Sequence, residues 1–112
     1  MSEDEVPEIT PSELKARLDE GDVPVLVDVR ELFERQIADL PELGQRRIPT
    51  GELFARMREL DPEEETVVYC RTGSRSAWAT RLLAGRGFQR VLNLKGGLQG
   101  WREEVDPSLR AY

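Results

Sequence analysis

A chain of 112 residues has room for one hydrophobic core and no second domain, and 38% hydrophobic against 34% charged residues describes a well-solvated globule. Sixteen basic against 22 acidic residues leave a net charge of −6, the wrong sign for a nucleic-acid binder, and no aromatic residues interleave the basic ones. A single cysteine makes no internal disulfide, the lack of histidine removes the usual zinc ligand set, and no apolar run approaches the ~20 residues that span a bilayer. The opening Met1–Glu5 is acidic and polar, unlike a signal peptide. The expectation is a cytoplasmic domain over residues 1–112, core about 8–103, with no metal, cofactor, nucleic-acid or membrane partner.

Along the chain, strands alternate with helices. Thr10-Pro11-Ser12-Glu13 is a helix start, with threonine as cap, proline in the first turn and glutamate three residues on. Leu14 and Leu18 then share a face up to the Gly21-Asp22 stop. Val23–Val27 reads as a short apolar strand, 32–38 as helix and 40–47 as an irregular connection. Thr50 is expected to cap a helix whose Leu53, Phe54, Met57 and Leu60 face the core. Thr66–Tyr69 and Val91–Leu94 read as strands, with a helix between them ending at Gly85-Arg86-Gly87. Leu98–Glu103 closes the pattern as a short helix, and the tail from Val105 is expected to be loosely attached. Such alternation predicts an α/β fold: a small, doubly wound parallel β-sheet with helices on both faces.

The chemistry concentrates at Cys70-Arg71-Thr72-Gly73-Ser74-Arg75-Ser76. Cys70 stands where the strand Val67-Val68-Tyr69 hands over to a helix beginning near Ala77, a place where unpaired N–H groups gather and favour negative charge. None of the six residues after it is proline, so each carries a backbone donor, and Gly73 frees the turn. A ring of N–H groups facing one point is an anion cradle, and it favours the thiolate, the reactive form of cysteine. The alternative reading, a small buried hydrophobe, would leave the polar residues that follow without partners. From Cys70 to Trp101 there are six basic and no acidic residues, within a chain that is acidic overall. That imbalance focuses small anions toward Cys70. Asp28 ends one apolar strand and Cys70 another, so both are expected at the carboxyl edge of the sheet, where sites of open α/β folds gather. There Asp28 or Glu31 is expected to pair with Arg75 and hold the cradle, leaving Arg71 for the incoming anion; a helix-cap role for Asp28 stays open beside this.

The Cys-x-x-Gly-x-Arg-Ser loop after an apolar strand resembles the active-site loop of rhodanese-family sulfurtransferases. Val25-Leu26-Val27-Asp28-Val29-Arg30-Glu31 resembles that family's Asp-Val-Arg-Glu strand, and Val91–Trp101 its closing strand, double glycine and tryptophan. The three segments stand in family order from about Val23 to Trp101. One departure falls on the pocket wall: Ala38–Gly44 replaces the common Gly-His-Ile-x-Gly-Ala segment. Gly96-Gly97 lacks P-loop spacing and reads as a tight turn; Trp78 and Trp101 read as core or pocket-wall aromatics.

The resemblance implies sulfur transfer through a persulfide on Cys70, with Arg71, Thr72, Gly73, Ser74, Arg75 and Ser76 binding the substrate and Asp28, Arg30 and Glu31 in support. The implied partners are a small sulfur-containing anion such as thiosulfate, and cyanide, a thiol or a sulfur-accepting protein. A cysteine phosphatase or arsenate reductase is one rival, but those loops place arginine six positions after cysteine, where this chain has Ser76. A non-catalytic binding module on the same fold is the other.

Overall fold

The computed structural model describes residues 6–112; the acidic Met1–Glu5 stretch weighed above lies outside them. Five strands, β1 (Glu8–Ile9), β2 (Val25–Asp28), β3 (Arg46–Arg47), β4 (Thr66–Tyr69) and β5 (Val91–Leu94), form one sheet in the order β1-β5-β4-β2-β3. Every pairing is parallel, with Val27 opposite Val68 and Asp28 opposite Tyr69. Four helices cover it: α1 (Pro11–Asp19), α2 (Thr50–Arg56), α3 (Ser74–Ala84) and α4 (Gly97–Glu104).

The apolar strands are explained by burial on both faces. Val27 and Val68 point to one side, where they meet Leu53 of α2 and Ala79 and Leu83 of α3. Leu26 and Val67 point to the other, against Leu14 of α1 and Leu98 and Trp101 of α4. The expected α/β architecture is therefore present. So is the cap of α1: Thr10 Oγ1 accepts from the Glu13 amide at 3.1 Å, and the Glu13 carboxylate accepts from the Thr10 amide at 2.9 Å.

Local departures have local causes. Residues 32–36 form a single 3₁₀ turn, short of the helix expected to 38. Pro49 takes the cap position of α2; Thr50 is instead its first residue, its amide given to the Val29 carbonyl at 3.1 Å. Phe54, expected inside, is 64% exposed, because a seven-residue helix turned to bury Leu53 cannot also bury its neighbour. The tail is not loose. Val105, Leu109 and Tyr112 pack on the α1–α4 side of the core, and the Trp101 carbonyl accepts from both Val105 and Asp106. No helix among the described residues is long and apolar enough to cross a membrane.

Candidate active site

β4 ends at Tyr69, and the chain turns at once into the loop that begins with Cys70. The Gly73 and Ser76 amides donate to Cys70 Sγ at 3.1 and 3.4 Å, and the Ser76 hydroxyl donates at 3.3 Å. Two of the six loop amides thus converge on sulfur. Gly73 makes the turn possible: its φ is +100°, and a Cβ there would lie 3.2 Å from the Gly96 nitrogen. The loop is held from below by the start of α4, where Leu98 and Gln99 donate to the carbonyls of Cys70 and Arg71, both at 3.0 Å. That approach requires glycine at position 97, since a Cβ there would stand 2.4 Å from the Cys70 oxygen. The side-chain Nδ2 of buried Asn93, on β5, donates to the Gly73 carbonyl at 3.2 Å.

Cys70 is wholly buried and packs with Val29, Ile48 and Ala79. Burial and hydrogen bonding, set against each other by the sequence, coexist here. The enclosed residues of the loop are Cys70 and the two that donate to its sulfur, Gly73 and Ser76, while Arg71, Thr72 and Ser74 are exposed. The Thr72 and Ser74 hydroxyls lie 3.5 Å apart, and neither reaches sulfur.

The supporting ion pairs differ from expectation. Arg75 pairs with neither Asp28 nor Glu31; its two terminal nitrogens donate to the two carboxylate oxygens of Glu34, at 2.7 and 3.0 Å. The 3₁₀ turn explains the exchange. It rotates Glu34 inward, where Oε2 also accepts the Glu31 amide at 2.9 Å, and leaves the Glu31 side chain exposed. Arg75 beside it holds the Glu34 carboxyl down at about 2. Asp28 is occupied elsewhere. It accepts from the buried Arg30 guanidinium at 2.9 and 3.0 Å and from Arg47 at 2.8 Å, and its Oδ1 also accepts the Arg30 amide at 3.0 Å, in place of a helix cap. Asp28 and Cys70 do share the carboxyl edge of the sheet.

Four residues of this network escaped the sequence reading. Glu34 carried a usable signal, since Glu31-x-x-Glu34 is the spacing of a reciprocal helix start. Asp39 lies in the departing Ala38–Gly44 segment and anchors it, accepting from Tyr69 Oη at 2.7 Å and Arg30 at 3.2 Å. Arg47 bridges Asp28 and Asp39, each at 2.8 Å. Tyr112 accepts from Arg30 at 2.8 Å and donates to Glu34 at 3.0 Å, while the Arg71 guanidinium lies 5.0 Å above its ring. Nothing local in the sequence marked these three, whose partners are brought together by the fold.

A profile of the rhodanese-like domain matches residues 10–104. The chain belongs to the rhodanese-like domain family. Among rhodanese-like relatives, a sulfurtransferase of Allochromatium vinosum is 37% identical over 99 residues, which cover 86% of this chain and 88% of that one. The putative sulfur carrier protein YrkF of Bacillus subtilis is 34% identical over 101 residues; the match covers 90% of this chain and 54% of YrkF, so the chain spans about half of that protein's length. The rhodanese-like domain protein of Staphylococcus aureus, a crystal structure, superposes with a TM-score of 0.78 at 27% identity, over 95% of this chain and 98% of that one. The fold neighbours and the family agree with the parallel sheet described above.

Proposed function

We propose that this protein is a sulfurtransferase that carries sulfane sulfur as a persulfide on Cys70. The observation that carries the reading is the set of three donors converging on Cys70 Sγ, from the Gly73 and Ser76 amides and the Ser76 hydroxyl. Membership of the rhodanese-like family, and relatives named sulfurtransferase and sulfur carrier protein, support sulfur transfer as the reaction class.

The Cys70 thiolate attacks the outer sulfur of thiosulfate, the S–S bond of the donor breaks, and its electron pair leaves with sulfite. The cysteine keeps the sulfur as an anionic persulfide, so one negative charge on the enzyme and two on the small molecule are conserved. In the second half-reaction cyanide or a thiolate attacks the outer sulfur, departs as thiocyanate or a new persulfide, and returns the Cys70 thiolate. Two steps through one covalent intermediate predict ping-pong kinetics. Arg71 meets the incoming anion at the exposed rim. The amides of Gly73 and Ser76 hold charge at sulfur in every state, which makes the protein's contribution electrostatic. Arg75, fixed by Glu34, and Thr72 and Ser74 shape the rim around the approaching group.

No cofactor enters this cycle. A lone reactive cysteine persists as a thiol in a reducing, cytoplasmic setting, the one proposed for this single domain. A phosphatase reading is less well supported, since the loop is one residue shorter than the Cys-x-x-x-x-x-Arg spacing. The deciding experiment is intact-protein mass after brief incubation with thiosulfate. A gain of one sulfur atom, absent in Cys70→Ser and removed by cyanide, is the expected result; no gain sinks thiosulfate as donor.

A further inference from the structure

A second feature lies beside the loop. Between the first turns of α4 and the chain after it, a cleft of about 250 Å³ is bounded by Arg71, Leu98, Gln99, Arg102, Arg110 and Tyr112. Its one side-chain carboxylate, Glu103, faces three guanidinium groups. Five of the fourteen arginines, Arg17, Arg30, Arg47, Arg56 and Arg75, hold a carboxylate, and the others are spread over the surface except where three of them gather at this cleft. Among the described residues, Arg71, Arg102 and Arg110 have no ion-pair partner. Arg71 is fixed instead over the Tyr112 ring, which constrains its position without cancelling its charge. Arg102 gives its Nε to the Leu109 carbonyl at 2.9 Å, which pins the stem and leaves the terminal nitrogens free for another acceptor.

The cleft is coupled to the reactive loop by covalent and hydrogen bonds. Arg71 follows Cys70 in the chain, and its carbonyl is held at 3.0 Å by the amide of Gln99, another lining residue. Resting on the function proposed above, we propose that this cleft is a subsite for the carboxylate of a small acceptor thiol, holding that molecule while it takes the sulfur from Cys70. The transfer brings two anions together, the persulfide and the attacking thiolate. Three cations alongside offset that repulsion, and guanidinium forks match a carboxylate in geometry as well as charge. The volume holds roughly eight waters at ~30 Å³ each, the size of a small dicarboxylate. In the step itself the thiolate attacks the outer sulfur, the persulfide S–S bond breaks, its electron pair returns to Cys70 Sγ, and the carboxylate stays spectator in the cleft.

Two measurements test this. The first titrates the unloaded protein with succinate, and separately with neutral succinamide, while amide resonances are followed by NMR. Saturable shifts at Gln99 and Ala111 with succinate alone are expected, and they are expected to vanish in Arg110→Gln, whose side chain makes no hydrogen bond among the described residues. The second loads Cys70 with one sulfur and compares its discharge by 3-mercaptopropionate and by 2-mercaptoethanol. Half-maximal discharge is expected at about tenfold lower concentration for the carboxylate-bearing thiol, a preference reduced in Arg110→Gln and in Arg102→Gln. An absence of succinate shifts, or equal discharge by the two thiols, overturns the subsite. Failure of Cys70 to take up sulfur overturns the proposed function instead, and the succinate titration still decides whether the cleft binds carboxylate.

Discussion

Glu34 holds Arg75 across 41 positions of sequence with two near-parallel hydrogen bonds of 2.7 and 3.0 Å. The pair ties the 3₁₀ turn after β2 to the first turn of α3, and so fixes the loop that carries Cys70 from its far side. Because Arg75 lowers the Glu34 carboxyl from 4.5 to about 2, the folded state binds fewer protons there than the unfolded chain. The stabilisation is therefore complete above about pH 4.5 and is lost as pH falls toward 2. Thermal melts of the native protein across that window are expected to show a fall in melting temperature that Glu34→Gln flattens. Equal slopes for the two proteins would show that Glu34 does not carry the acid transition.

Ser76 contributes two of the three donors at sulfur, but only its hydroxyl can be removed by substitution. Ser76→Ala leaves both amides in place and deletes the 3.3 Å contact. A hydrogen bond to a charged group contributes about 1.5–3 kcal/mol, so sulfur loading of Cys70 is expected to slow about tenfold or more. The check is the time course of mass gain with thiosulfate. An unchanged rate would mean that the amides alone hold the charge.

Asp28 acts on the site at one remove. Its carboxylate neutralises Arg30, which is 1% exposed, and Arg47 beside it. Asp28→Asn leaves a buried guanidinium short of its main counter-charge, and an unpaired buried charge costs about 3–5 kcal/mol. Urea denaturation is expected to register a loss of that order. A stability within 1 kcal/mol or so of native would mean that Asp39 takes over the pairing.

Gly97 is the position where α4 comes nearest the loop. In Gly97→Ala the new Cβ meets the Cys70 carbonyl at 2.4 Å, in a backbone with φ +58°. Left-handed strain alone costs about 1–2 kcal/mol, and displacement of the loop adds to it. Gly21→Ala, with φ +79° and nothing within 4 Å, isolates the strain. The expectation is that Gly21→Ala loses stability but loads sulfur at the native rate, whereas Gly97→Ala loses both. Similar loading by the two variants would separate the Gly97 contact from the chemistry.

The α/β alternation, the parallel sheet and the Cys70 loop were legible because each rests on neighbours in sequence: apolar strands, a capped helix start, a glycine turn. Thr10 and Glu13 behaved as their spacing implied, and so did Gly73. What sequence left hidden was choice of partner. Two carboxylates, Asp28 and Glu31, were the expected partners of Arg75, and the actual partner is a third, Glu34, brought in by the rotation of one turn at Leu32–Gln36. Tyr112 gave no signal at all, because a tyrosine in a polar tail looks the same whether it is free or bridges Arg30 and Glu34. Phe54 shows the limit from the other side, since a stripe at helical spacing states which residues share a face and leaves the width of the core to the fold.

The hold of α4 on the reactive loop also bears on the order in which the molecule is made. Cys70 lies at the end of β4, but the amides that hold its carbonyl and that of Arg71 belong to Leu98 and Gln99. The sheet is closed by pairings of long sequence separation, β1 beside β5 above all, and contacts of that kind form late. A partly folded or nascent chain therefore displays Cys70 as an ordinary thiol without its seat. The three-donor seat of this cysteine belongs to the finished tertiary structure, so the proposed sulfur uptake is expected to report complete folding.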